Sequence, residues 1–265
     1  MGAGHEAEVA ALEANLWSMW SCFGRGAGCR LVDEPDVLRF ETPVAHVPYN
    51  SVLRCTTVDR AALDGILDAY RSRGVPLVWI VHPSAPAGLG QQLVARGLEE
   101  AERITGMAMA LDALPGGGPV PAGVDVQEVG PDDHGPYLEL LTWRYGLPPD
   151  GVETLRSIMR AARFGADGSP NRAWVACRDG EVLSKVTLHL DGRAAAIYGL
   201  ATRPEARGLG LGRLLTVRAF EAARRAGFEL GVLHSTPMAV PLYAGLGFHR
   251  VAPLALWAEP DTLQL

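Results

Sequence analysis

The stretch with the clearest chemical meaning is Leu200-Ala-Thr-Arg-Pro-Glu-Ala-Arg207-Gly-Leu-Gly-Leu-Gly212-Arg-Leu-Leu215. An apolar run from Ala194 to Ala201 stops at Thr202 and Pro204, a glycine-rich turn follows, and a helical pattern starts at once. Strand, glycine turn and helix in that order aim several backbone N–H groups at one point, where the helix N-terminus adds partial positive charge. Such a turn suits phosphate or pyrophosphate. Glycines at 208, 210 and 212 let the backbone come close to an anion because no Cβ intervenes. The pattern is not the dinucleotide fingerprint G-x-G-x-x-G, whose final spacing it misses. Ser235, not an acid, also stands at the end of the following strand.

Other reactive side chains form no comparable constellation. The cysteines, Cys22, Cys29, Cys55 and Cys177, include no C-x-x-C pair, and the seven histidines show no zinc-ligand spacing. The expectation is free thiols in a reducing cytoplasm and no bound metal.

The elements that must position the turn follow from periodicity and punctuation. In the first half the pattern predicts a helix over 6–20, irregular chain over 21–36, and strands over 37–41 and 51–58. Asp59 is placed to cap a helix over 60–73, with Leu63, Ile66, Leu67 and Tyr70 on one face and a stop at Gly74. A strand over 75–81, a short helix over 89–96 and a strand over 104–111 complete the half. Three consecutive glycines between prolines in 114–123 hold neither helix nor central strand, which makes this stretch the best linker. It leaves about 113 and about 142 residues on its two sides, both ordinary domain sizes.

After the linker, the pattern predicts a strand over 124–129, a helix over 135–145, and a second helix capped by Asp150 and running to about Phe164. Strands over 172–178 and 181–190 form a hairpin at Asp179-Gly180, a dipeptide suited to two positive φ angles. Asp191-Gly192 repeats the signal before a third antiparallel strand over 193–201. A helix over 210–226, a strand over 230–234, a short helix capped by Ser235 or Thr236, and a strand over 248–257 close the chain.

Composition bounds the function. Apolar residues make up 48% of the 265, and the net charge is −6 with no basic run, which argues against nucleic acid as a partner. A mildly acidic protein is compatible with a cationic substrate. No apolar run reaches the ~20 residues of a membrane span. The opening residues lack a signal peptide's basic head and apolar core, and Glu6 breaks a myristoylation signal. A cytoplasmic protein, monomer or homodimer, without a membrane partner is expected.

The two halves also repeat one another. Each has a strand, a helix ending in Arg-Gly or Arg-Ala-Gly, a strand, a break, a short helix and a glycine-marked final strand. Only the second has the glycine turn; the first reads Cys55-Thr-Thr-Val-Asp-Arg-Ala-Ala at that place.

Arg207-x-x-Gly210-x-Gly212 between a strand and a helix resembles the acyl-CoA pyrophosphate loop of the GNAT acyltransferases. Leu242-Tyr243-Ala-Gly-Leu-Gly247-Phe248 resembles that family's closing block, at the right order and distance. The resemblance covers about 124–259, and the first half is similar to the degenerate partner domain of two-domain members. It implies an α+β protein with two GNAT-like domains, each a mixed, mostly antiparallel sheet flanked by helices. Residues 1–114 would be the degenerate domain, 115–123 the linker and 124–265 the acetyltransferase domain, whose sheet splays to hold acyl-CoA.

By the same resemblance, backbone groups of Leu200, Ala201 and Thr202 would pair with the pantetheine arm like an added strand. Arg207, Gly208, Leu209, Gly210, Leu211, Gly212 and Arg213 would form the pyrophosphate site, mainly through their amides. Ser235 would lie near the pantetheine, and Tyr243 beside the thioester sulfur. The activity implied is transfer of the acetyl group of acetyl-CoA to an amine acceptor by direct attack. The alternatives are a CoA-binding module without catalysis, or a longer acyl donor. A backbone N–H of the fourth strand would stabilise the oxyanion, and Tyr243 would protonate the departing thiolate. Members often carry a glutamate on that strand as the base, but Ala194-Ala-Ala-Ile-Tyr-Gly-Leu-Ala has no carboxylate. His189, His234, a water chain or an acceptor of low pKa are the candidates. Trp143, Tyr145 and Tyr198 would line an acceptor pocket or pack in the core.

Overall fold

The first half runs α1 (Ala3–Ser21), β1 (Arg30–Glu34), β2 (Val37–Glu41), β3 (Ser51–Cys55), α2 (Arg60–Arg71), β4 (Val78–Val81), α3 (Leu89–Val94) and β5 (Glu99–Ala110). The second runs β6 (Asp125–Glu128), α4 (Gly135–Tyr145), α5 (Pro149–Ala161), β7 (Asn171–Arg178), β8 (Glu181–Leu190), β9 (Ala195–Thr202), α6 (Leu211–Arg225), β10 (Leu230–Ser235), α7 (Val240–Ala244) and β11 (His249–Ala258). The structure is a computed structural model and describes residues 2–262; Met1 and 263–265, at the outer ends of the two expected domains, lie outside the described residues. The fold is α+β. Its helices and strands form two compact units that interleave in sequence: residues 1–15, 105–147 and 162–251 make the larger, and residues 16–104, 148–161 and 252–265 the smaller.

In the larger unit the strand order is β5-β10-β9-β8-β7-β6. All neighbours are antiparallel except β9 and β10, which run parallel. The apolar stripe of α6, including Leu211, Leu215, Ala219, Phe220 and Ala223, packs on Val186, Leu188, Ala195 and Ile197. On the other face Ala11 and Leu12 of α1 meet Ala194, Ala196 and Val232. The run Ala194-Ala-Ala explains this double cover, because small side chains let helices approach both faces of one strand. α4 shares the α1 face, where its Tyr137 hydroxyl lies 2.7 Å from Thr187 Oγ1.

In the smaller unit the order is β1-β2-β3-β4-β11, with β3 and β4 parallel. The predicted face of α2, Leu63, Ile66, Leu67 and Tyr70, is buried against Val52 and Trp79. The repeat seen in the sequence is therefore structural. Each unit has a parallel pair joined through a helix, β3-α2-β4 or β9-α6-β10, and completes it with an antiparallel strand from the other half of the sequence. β11 pairs with β4, and β5 pairs with β10. Residues 115–123 consequently connect elements of one compact unit.

Several local expectations change. β1 forms within the stretch expected to be irregular; its sequence, Arg-Leu-Val-Asp-Glu, carries little apolar signal and is ordered by pairing with β2. β5 begins at Glu99, earlier than expected: its charged first half is mostly exposed and carries no apolar periodicity. Asp150 does not cap α5: the helix begins at Pro149, whose ring suits a first helical position, and Asp150 sits inside the first turn. α5 also ends at Ala161, before Arg163 takes a φ of 55°. Neither Ser235 nor Thr236 caps α7 through its side chain. Ser235 stays in β10, and the Thr236 carbonyl accepts from Ala239 and Val240 N–H instead. The second Asp-Gly is not a two-residue turn; the Asp191 carboxylate accepts from Arg193 and Ala194 N–H and the Asp191 N–H donates to the Ala194 carbonyl.

Candidate active site

The site begins where β9 and β10 part. They pair only from Ala195–Ile197 to Gly231–Leu233. Beyond that, β9 stays with β8 as far as Thr202, whereas β10 stays with β5 as far as Ser235. The cause lies in β9. Lys185 faces Ala201 but Thr187 faces Tyr198, so β9 holds one extra residue. A bulge of this kind bends its strand and raises the local twist. Gly199, at its centre, has a φ of 57°, which a side chain rarely tolerates. Ala195, Ala196 and Ile197 are buried, Gly199 is exposed, and Leu200, Ala201 and Thr202 are half-buried along the opening.

The glycine turn follows directly. Gly208 and Gly210 have φ of 79° and 80°, and Gly210 is the N-cap of α6. No side chain caps this helix, and the Leu214 N–H is the first to reach the Gly210 carbonyl. The N–H groups of Leu211, Gly212 and Arg213 are thus the unpaired donors of a first helical turn. A Cβ on Gly212 would lie 3.4 Å from Leu242 and 3.7 Å from Leu200, so this turn, the end of β9 and α7 converge. Arg213 donates to the Gly245 and Gly116 carbonyls at 3.4 and 3.3 Å, while Arg207 and Leu209 are exposed. At the corresponding end of α2 a side chain already caps the first turn: the Asp59 carboxylate accepts from the Ala62 N–H at 2.9 Å.

Tyr243, on α7, is buried and stands edge-on to Phe248 with ring centroids 6.1 Å apart. Burial pushes its phenol well above the usual range, so it stays protonated at neutral pH. Ser235 is buried and its hydroxyl donates to the Thr236 carbonyl at 2.8 Å.

Of the two histidines, His189 is buried where β8 pairs with both neighbours, with Nδ1 2.7 Å from Asn171 Oδ1. Burial lowers its pKa to about 4. His234 is the first β10 residue past the last pair with β9, beside the ring of Tyr198, 6.3 Å away between centroids. The Tyr198 hydroxyl donates to Asn15 of α1, whose amide donates to the Ala194 carbonyl, both at 2.8 Å. Trp143 is exposed beneath the Arg203 guanidinium.

Sequence reasoning missed Lys185. It is buried, donates to the Gly199 carbonyl at 2.7 Å, and stands 4.5 Å from the ring centre of Tyr137. It is also the chain's single lysine, all its other basic residues apart from histidine being arginine. That singularity was the available signal. Asn15 gave none, because its partners lie more than 170 residues away.

A depression of about 740 Å³, lined by Gly165, Ser169, Arg172 and Ala226 among others, lies at the opposite end of α6 from the glycine turn and is no part of this site. Among the described residues no group of histidine, cysteine and carboxylate side chains could hold a metal ion, and no helix is long and apolar enough to cross a membrane.

Residues 137–248 match the acetyltransferase (GNAT) family model. The chain is similar in fold to a GCN5-related N-acetyltransferase from Kribbella flavida, with a TM-score of 0.65 and 20% identity over 93% of this chain and 96% of that one. It is also similar to a tandem GNAT protein from the clavulanic acid biosynthesis pathway, with a TM-score of 0.60 and 18% identity over 96% and 93%. A GCN5-related N-acetyltransferase from Sphaerobacter thermophilus has a TM-score of 0.60 and 20% identity over 78% and 68%. None of the curated proteins matches the chain in sequence. The family model marks an acetyltransferase (GNAT) domain in the second half, and the fold of the whole chain is similar to that of the GCN5-related and tandem GNAT structures. Residues 137–248 are thus the part of the chain that matches the GNAT family, whose members transfer an acyl group from CoA to an acceptor.

Proposed function

We propose that the protein transfers the acetyl group of acetyl-CoA to an amine of a small molecule or peptide, by direct attack while both substrates are bound. The observation that carries this reading is the parting of β9 from β10 directly ahead of an uncapped helix N-terminus. Leu200, Ala201 and Thr202 offer strand edge to the pantetheine arm. Amides from Gly208 to Arg213 hold the pyrophosphate, with Arg207 beside them. Ser235 borders the arm, and its hydroxyl orients the chain into α7.

Tyr243 donates its proton, or a hydrogen bond, to the departing thiolate, a role its protonated state supports. His234 is the better placed of the two histidines to take the amine's proton, since it stands at the mouth of the opening. Holding both substrates in one cleft supplies the orientation that makes attack efficient. Residues 1–114 and 124–265 are read as two related domains joined by 115–123, the first without a phosphate turn. The thiol cysteines fit a reducing cytoplasm.

A thiol-release assay of the full chain with acetyl-CoA against a panel of amines tests the reading. The expected result is saturable, acceptor-dependent release. Tight acetyl-CoA binding with no acceptor-dependent release would replace it with a CoA-binding module. Release only from longer acyl-CoA donors would move the donor and keep the mechanism.

A further inference from the structure

We propose that Lys185 is a positioning residue for acyl transfer: its amine holds the Gly199 carbonyl and so aims the Leu200 N–H at the opening as the oxyanion donor. The inference rests on the function proposed above and deepens it. Lys185 Nζ lies 2.7 Å from the Gly199 oxygen, inside the bulge that separates β9 from β10. In a trans peptide the carbonyl and the following N–H point in opposite directions. With the Gly199 carbonyl fixed on Lys185, the Leu200 N–H points away from it. β8, which carries Lys185, flanks one side of β9, and the opening lies on the other.

Stability alone does not account for this lysine. It is 2% exposed and no carboxylate lies within ion-pair distance of it among the described residues. Its surroundings are the Tyr137 ring at 4.5 Å, the Tyr137 hydroxyl at 3.4 Å and the Gly199 carbonyl. An apolar side chain of similar length avoids the desolvation of a buried ammonium. A chain whose other basic residues apart from histidine are all arginine keeps a lysine here, a compact point charge in place of a planar fork. Gly199 matches the arrangement, since a Cβ there would lie 3.0 Å from Lys185 Nζ.

The test uses the full chain, acetyl-CoA and the best amine of the panel, comparing wild type with Lys185→Met and Lys185→Gln. Loss of an aimed oxyanion donor lowers turnover by about 10²-fold or more, so Lys185→Met is expected to lower kcat at least about tenfold. The KM and calorimetric Kd for acetyl-CoA stay within about threefold, because the donor acts on the transition state. Lys185→Gln, a neutral donor, recovers part of the loss. Burial lowers the Lys185 pKa to about 8, and the titratable groups that act on it are Tyr137 and Tyr145 of α4. The ratio of wild-type to Lys185→Met kcat should therefore fall as pH rises through 8, when the ammonium loses its proton.

A ratio that rises through pH 8 would assign Lys185 the role of base and overturn the proposal. Unchanged kcat in Lys185→Met, or losses of kcat, acetyl-CoA affinity and thermal stability in parallel, would overturn it too. A wild type that neither binds acetyl-CoA nor releases thiol overturns the functional reading itself; a working wild type with an equally active Lys185→Met overturns the positioning role alone.

Discussion

Tyr243 and Gly199 show how differently single residues of this site can be read. Tyr243 was legible, because its type and its place in a short glycine-closed block carried the family resemblance. If it protonates the thiolate, Tyr243→Phe should lower kcat at least about tenfold with little change in acetyl-CoA affinity, since an interaction made only in the transition state leaves ground-state binding alone. Equal turnover in steady-state assays would remove the hydroxyl from the mechanism. Gly199 was only one small residue in an apolar run. Its φ of 57° and the 2.7 Å hydrogen bond that its carbonyl accepts from Lys185 exist only in the folded sheet. Gly199→Ala should lower the thermal midpoint, because an L-residue is strained at that φ. It should lower kcat as well, because the added methyl displaces the lysine. A fully active Gly199→Ala would show that the bulge tolerates movement.

At the scale of elements, α2 and α6 hold equivalent places in the two units but present opposite N-termini. α6 starts at Gly210 with no side-chain cap, whereas α2 starts at Asp59, whose carboxylate already occupies its own first turn. A helix end takes an external anion only when no internal one is there. Replacing exposed Leu209 by glutamate puts a carboxylate beside the α6 donors without disturbing the core. Leu209→Glu should weaken acetyl-CoA binding by about tenfold, the order expected from ~1–2 kcal/mol of helix-end electrostatics, with the thermal midpoint of the ligand-free chain no lower than wild type. Unaltered calorimetric affinity would place the pyrophosphate elsewhere. Asp59→Ala, in contrast, should cost about 1 kcal/mol of stability in denaturant titrations through loss of the cap, and should not create a second acetyl-CoA site.

Across the whole molecule, acid sensitivity follows from two buried histidines, one in each unit. His82 accepts from the Trp17 indole at 3.2 Å, His189 bonds Asn171, and burial lowers both to a pKa of about 4. Each stays neutral in the folded chain and becomes charged in the unfolded chain below the ordinary histidine value of 6.5. The unfolded state then binds more protons, so stability is complete above that value and is lost as pH falls toward 4. Between pH 7 and 5 the loss should be about 2 kcal/mol per histidine, read from denaturant midpoints at the two values. His82→Gln should flatten that dependence. Equal stability of the wild type at both values would mean that the histidines are not held neutral.

What the sequence determined by itself was local. The face of α2, the Asp179-Gly180 hairpin with its two positive φ angles, the stripe of α6 and the glycine turn all follow from spacing and backbone freedom within a few residues. The internal repeat was legible for the same reason, as a series of such local signals. The tertiary structure decided what depends on partners distant in the chain. β1 and the charged start of β5 needed a neighbouring strand to be ordered. The exchange of β5 and β11 between the units, and the burial of Lys185 against Gly199, join segments whose separation leaves no period to read. The opening itself comes from one extra residue in β9, a register shift that only the partner strand can define.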